Sequence, residues 1–200
     1  MLGIGTGMSD LIHIVAIGGT TRPGSSSEKV LRVSARAAQD AGARVTFITG
    51  SDLILPIYET RTSERDERAQ HLVAQVRNAD GILISSPGYH GGMSGLIKNA
   101  IDYLEDLNDD PRPYLHGRAV GCIASAYGWQ ASVTTLHQLR QVTHALRGWP
   151  TPLGGAINSQ VTQFDDAGES TDSAAISNLH IIGSQVVKFA RAFRQTTPLP

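Results

Sequence analysis

The sequence predicts a single α/β domain built on a parallel sheet with helices on both faces. Three observations carry this reading. Strand-like and helix-like segments alternate five times along the chain. The strand-like segments are apolar at successive positions, as strands covered on both sides must be. No linker, repeat or shift of composition divides the 200 residues, a length that buries a sizeable core in one domain. Right-handed crossovers then leave few strand orders, and ligands of such sheets gather at the carboxyl ends of the strands.

The first strand is the apolar run "LIHIVAIGG" (11–19). A helix follows over "SSEKVLRVSARAAQDAG", with Val30, Leu31, Val33, Ala37 and Ala38 at the helical period. Ser25 and Glu28 have the spacing of a capping box, and Gly42 stands where a glycine closes a helix. "ARVTFITG" reads as the second strand. The loop "SDLILPIYETR" leads to a helix near 63–79, with Leu72, Val73, Val76 and Ala79 on one side. "GILISSP" (81–87) is a short buried strand that Pro87 stops. "MSGLIKNAIDYLEDL" is the third helix, turning Leu96, Ile97, Ala100, Ile101 and Leu104 inward. After the polar connection "NDDPRPYLHG", "RAVGCIASA" is the fourth strand and 130–147 the fourth helix. "PLGGAIN" is a weak fifth strand broken by its glycines. The last helix spans 172–194, with Ile176, Leu179, Ile182, Val186 and Phe189 inward. Residues 1–10 are expected to form a flexible leader, 11–194 the domain, and 195–200 a flexible tail.

Seventeen Lys and Arg nearly balance eighteen Asp and Glu, for a net charge of −1. With the two signs mixed along the chain, neither a nucleic-acid nor a membrane surface is expected. No apolar run approaches the about 20 residues of a membrane helix, and the start lacks the basic and apolar regions of a signal peptide. The one cysteine, Cys122, lies in "AVGCIASA" and cannot staple a secreted fold. It is expected to be a buried structural thiol in a reducing, cytoplasmic compartment. His13, His71, His116, His137, His144 and His180 show no metal-ligand spacing, so no metal is expected. Asp109 and Asp110 fall in a polar loop and are expected to be solvated.

Three loops carry the chemistry. In "GGTTRPGSSS", glycines allow a tight turn just before a helix, whose N-terminal N–H groups and dipole favour an anion. Thr20, Thr21, Ser25, Ser26 and Ser27 add hydroxyls, and Arg22 adds a charged fork suited to phosphate. The glycine spacing is not that of a dinucleotide fingerprint. Gly19 and Gly24 have P-loop separation, but Ser25 and Ser26 follow where a Lys is required. A terminal monophosphate fits better. In "SSPGYHGGMSG", four glycines leave backbone open to a flat ligand, and Tyr89 and His90 add rings with polar tips. In "ASAYGWQAS", Ser125, Tyr127 and Gly128 are expected beside the second loop, while Trp129 is expected to pack at the start of a helix.

These residues resemble the NAD(P)H-dependent FMN reductase family. "GGTTRPGSSS" and "ADGILISSPGYHGGMSGLIKNAIDYL" carry the match, "LHGRAVGCIASAYG" supports it, and it spans residues 11–193. The resemblance implies a flavodoxin-like three-layer sandwich with a five-stranded parallel sheet in the order 2-1-3-4-5. It implies FMN as cofactor, with Thr20, Arg22, Ser25 and Ser27 on its phosphate and Pro87, Gly88, Tyr89, His90 and Gly91 on the isoalloxazine edge. Ser125, Tyr127 and Gly128 would flank the ring. Relatives often carry Ser at Thr20 and Asn at Ser27, and both replacements keep a polar partner. Gly92 and Met93 depart from a Ser and an aromatic or small residue, which alters the space above the ring. NADPH or NADH would supply the hydride, and no catalytic side chain is required. The resemblance also implies a homodimer or homotetramer, with reduced flavin handed to a small acceptor or a flavin-dependent monooxygenase. The alternatives are a quinone, azo or metal-oxyanion reductase on the same scaffold, and a non-enzymatic electron carrier, against which the near-neutral charge counts.

Overall fold

The structure is a computed structural model that describes residues 11–196. The leader expected over 1–10 lies outside the described residues, as does the tail expected over 195–200 except for 195–196, which continue the last helix. Strand β1 (Ile12–Gly18) is followed by α1 (Ser26–Asp40), β2 (Ala43–Thr49) and α2 (Glu67–Arg77). Then come β3 (Gly81–Tyr89), the short β4 (Gly92–Met93) and α3 (Gly95–Asp102). β5 (Ala119–Ala126), α4 (Trp129–Ala145), β6 (Trp149–Pro150), β7 (Gly155–Asn158) and α5 (Ser173–Thr196) complete the fold.

Each helix begins or ends where local chemistry allows it. The Ser25 hydroxyl caps α1 by accepting from Glu28 N, and Gly42, at φ 84°, turns the chain out of that helix. α2 starts later than its apolar pattern suggests, because Asp66 caps it through Ala69 N at 2.8 Å. The third helix is regular only to Asp102 and tightens into a 3-10 turn over Tyr103–Leu107.

The sheet corrects one expectation. Among the described residues it has seven strands, not five, in the order β2-β1-β3-β5-β6, with β4 paired to β3 and β7 to β5. All pairings are parallel except β3 with β4. The expected fifth strand, 152–158, forms only over Gly155–Asn158, and an unexpected two-residue strand precedes it; Pro150 and Pro152, which carry no N–H, interrupt the ladder between them. Trp149–Pro150 pairs beside Ala119, and Gly155–Asn158 resumes beside Ile123. The additional strand β4 comes from a hairpin. β3 does not stop at Pro87 but runs on to Tyr89, then folds back. β1 ends opposite Ser85, so a proline two residues further needs no bond on that flank.

Alternate side chains of the strands build two cores. Ile14, Ala16, Leu83 and Ile123 face α1 and α5; Val15, Ile17, Ile82, Ile84 and Cys122 face α2, α3 and α4. All of the expected inward residues of α1 and α2 are buried. Cys122 is 1% exposed, and burial pushes its thiol up to about 11, which fits a structural residue. Where α1 crosses α5, Gly183 leaves room for the Ser34 carbonyl; a Cβ there would stand 2.0 Å from it. The chain steps from β1 outward to β2 and then back to β3 on the other side. That reversal opens the carboxyl edge between the loops after β1 and β3.

Candidate functional site

Register brings the three loops together. Gly18 lies opposite Ser85, Pro87 opposite Ser125, and Ser125 opposite Ile157. The loops after β1, β3 and β5 therefore leave the sheet at one edge, side by side.

The loop after β1 turns at Gly19 (φ 98°) and Gly24 (φ 67°). Thr20 closes a small turn: its hydroxyl accepts from Arg22 N at 3.1 Å and reaches Arg22 O at 3.2 Å. The Arg22 guanidinium is exposed and bonds to no described residue. Ser25 and Ser27 are buried with their hydroxyls 3.4 Å apart, whereas Ser26 is exposed. The N–H groups of Ser26 and Ser27, at the start of α1, meet no acceptor among the described residues. Glu28 does not complete the capping box by bonding Ser25 N. Its carboxylate instead accepts from Gly24 N at 3.1 Å and from the Arg32 fork at 2.7 and 2.9 Å. It thereby holds the far side of the loop in place.

The loop after β3 is a two-residue hairpin. Tyr89 pairs with Gly92, leaving His90 (φ 51°) and Gly91 (φ 83°) at the tip, both left-handed as a type I′ turn requires. Helix α4 and Ser86 anchor it. Met93 N donates to Gln138 Oε1 at 3.1 Å, and Ser94 N donates to Ser86 Oγ at 3.0 Å. At Gly88 a Cβ would stand 2.8 Å from both Ala126 Cβ and Thr135 Oγ1, so only glycine lets the hairpin sit this close to α4.

Ser125 lies at the end of β5, and the loop that follows turns at Gly128, whose φ of 120° and ψ of 150° suit glycine alone. Asn158, at the end of β7, holds the turn: its Oδ1 accepts from Gly128 N at 3.0 Å. Ser125 Oγ is buried and has no hydrogen-bond partner among the described residues. It lines a cavity of about 220 Å³ together with Gly24, Ser26, Lys29, Ser159 and Phe164. Trp129 does not pack as expected. It is 56% exposed, as are Tyr127 at 77% and Tyr89 at 55%. Three aromatic side chains thus border the loops.

Sequence reading located all three loops and named Glu28, but as a capping-box partner rather than a brace of the first loop; it missed Gln138 and Asn158, which brace the other two. Only Asn158 carried a signal, as a polar residue ending an apolar strand at the ligand edge. Among the described residues, no group of three His, Cys, Asp or Glu side chains gathers as a metal site. None of their helices is long and apolar enough to cross a membrane. Asp110, expected to be solvated, pairs with Arg77 at 2.7 Å, since the polar loop folds back over the end of α2.

A doubly covered parallel sheet whose carboxyl edge holds a hydroxyl-rich loop and a glycine hairpin is the architecture of flavodoxin-like proteins. Residues 12–163 match the NADPH-dependent FMN reductase family, and the chain belongs to it. This is a family of NAD(P)H-dependent oxidoreductases that use FMN. The chain is 29% identical over 179 residues to a quinone reductase of Escherichia coli K12, covering 86% of this chain and 92% of the relative. It is 25% identical over 169 residues to the NAD(P)H-dependent FMN reductase PA1204 of Pseudomonas aeruginosa, covering 84% and 89%. The fold is shared with the flavoenzyme NAD(P)H:(acceptor) oxidoreductase FerB of Paracoccus denitrificans, at a TM-score of 0.72 and 17% identity over 92% of this chain and 99% of that one.

Proposed function

We propose that residues 11–194 form one FMN-binding domain, and that the cofactor lies across the three loops at the carboxyl edge of the sheet. Its phosphate is held by Thr20, Arg22, Ser25, Ser26 and Ser27. The edge of its ring lies on Pro87, Gly88, Tyr89, His90 and Gly91, and Ser125, Tyr127 and Gly128 flank it. One observation supports this most: a buried, unpartnered Ser125 hydroxyl faces the same cavity as Ser26, beside N–H groups of α1 that have no acceptor. Buried polar atoms without partners are rare, and a polar ligand in this cavity would satisfy this one. The exposed Arg22 fork adds a charge suited to phosphate.

Bound FMN would accept hydride from NADPH or NADH and pass electrons to an acceptor. The protein's part is positional. Gly88 lets the hairpin sit low, Gln138 and Ser86 hold its backbone, and Tyr89, Tyr127 and Trp129 offer flat surface to a planar partner. No side chain needs to move a proton.

The acceptor we favour is free flavin, with a flavin-dependent monooxygenase as a recipient of the reduced product. Quinone is the second reading, favoured by the quinone reductase among the relatives and by the aromatic border of the site. A cytoplasmic location and assembly as a homodimer or homotetramer belong to the same proposal.

Anaerobic addition of NADPH to FMN-loaded protein tests the core of it: the flavin absorbance should bleach within seconds, and a persistent yellow colour would refute a reductase. Steady-state oxidation of NAD(P)H with free FMN or with a quinone then separates the acceptors. Arg22→Ala should weaken FMN binding by about tenfold or more, as expected for a charge-assisted contact of roughly 1.5–3 kcal/mol. Fluorescence titration reads this, and unchanged affinity would remove Arg22 from the site.

A further inference from the structure

At the opposite edge of the sheet, the amino ends of the strands carry a cluster of arginines, two of which, Arg112 and Arg118, meet no carboxylate among the described residues. Arg118 is fully buried, 0% exposed, and no carboxylate among the described residues bonds to it. Its donors go only to carbonyls: Nε to Ala79 O at 3.0 Å, Nη2 to Arg77 O at 2.7 Å, and Nη1 to Tyr114 O at 3.0 Å. Arg112 shares the Ala79 carbonyl from the other side, through Nη1 at a weak 3.5 Å. Its Nε is buried and meets no partner among the described residues. Two guanidinium groups thus lie against one oxygen. Burial and the Arg112 charge depress Arg118 to about 9, far below an ordinary guanidinium.

The nearby carboxylates are already engaged. Asp80 takes the Arg194 fork at 2.5 and 2.8 Å and the His13 N–H at 2.7 Å. Asp110 takes Arg77 Nε at 2.7 Å, which leaves the other Arg77 donors unused among the described residues. Arg112, Arg77 and Arg194 line a cavity of about 400 Å³ with Asn78, Asp80 and Asp110. Among the described residues its lining carries three guanidinium charges against two carboxylates, and Arg118 adds a fourth from behind. Like charges this close in a partly desolvated setting repel unless an anion sits between them.

We propose that this cavity binds a small oxyanion, a phosphate or a carboxylate, gripped by Arg112 and Arg77. Planar guanidinium forks pair with both classes through two parallel bonds. The site lies at the far edge of the sheet from the loops after β1, β3 and β5, so it is separate from the proposed flavin phosphate site and does not depend on it.

The test must keep the two sites apart. Inorganic phosphate is titrated calorimetrically, in chloride buffer, into the full chain carrying Arg22→Ala and into the same chain with Arg112→Ala added. Succinate is titrated in a parallel arm. Saturable phosphate binding in the first protein, weakened about tenfold or more in the second, supports the site. The same pattern with succinate alone assigns it to carboxylates. In the wild-type chain the Arg112 Nε resonance should shift on titration, a readout that needs no variant. Equal binding in both proteins, binding seen only when Arg22 is intact, or no saturable heat with either anion would overturn the proposal.

Discussion

Ser125 is 4% exposed, and its hydroxyl bonds to nothing in the described chain. An unsatisfied buried hydroxyl costs about 1–3 kcal/mol, so its removal should not harm the FMN-free fold. Ser125→Ala is expected to leave the FMN-free melting temperature unchanged or raised while weakening FMN binding several-fold. A lower melting temperature with unchanged FMN affinity would make Ser125 a plain core residue. His13 argues differently. It is 2% exposed, with Nε2 2.9 Å from Thr46 Oγ1, and burial, with the Arg44 charge, pulls it below its usual 6.5. The unfolded chain therefore takes up a proton at a higher pH than the folded one. Its contribution to stability is complete above about 6.5 and is lost as pH falls toward the depressed value. Denaturant midpoints measured from pH 7.5 down to 5 should decline, and the slope should flatten in His13→Gln.

At the scale of elements, the hairpin after β3 holds the most specific geometry. Its left-handed tip, its ties to Gln138 and Ser86 and the close approach at Gly88 all act on one short piece of backbone. Gly88→Ala would push a methyl to within 2.8 Å of Ala126 and Thr135. Overpacking of this kind costs about 1–3 kcal/mol, which equilibrium denaturation can read. NAD(P)H oxidation should fall by more than the stability loss explains, because the hairpin would shift at the site. The apolar strand, the following glycines and the aromatic pair were all legible in the residues 81–93. The hairpin itself was not. Pro87 reads locally as a strand terminator, and only the end of β1 opposite Ser85 shows that the flank is free of ladder bonds.

Over the whole molecule, two helices on one face and three on the other clamp a sheet whose strands are apolar on both sides. The tightest joint is α1 against α5, where Gly183 meets the Ser34 carbonyl. A Cβ at 2.0 Å cannot be relieved by turning a side chain, since the obstacle is backbone. Gly183→Ala should separate the two helices and destabilise the fold by about 3 kcal/mol or more, measured by urea unfolding at pH 7. A change below about 0.5 kcal/mol would show that the helices slide apart freely.

The sequence by itself determined the fold class, the alternation of elements, the faces of the helices and the three loops that meet at the ligand edge. Each of these is written in local periodicity, in caps or in glycine placement, which act within a few residues. Tertiary structure alone decided the short strand β6 ahead of β7, the run of β3 through Pro87, and the exposure of Trp129. It also decided that Glu28 braces the first loop rather than capping its helix, and that Arg112 and Arg118 converge on one carbonyl. These features depend on which residues become neighbours across the sheet. Register and packing set those distances, and no local pattern in the chain encodes them.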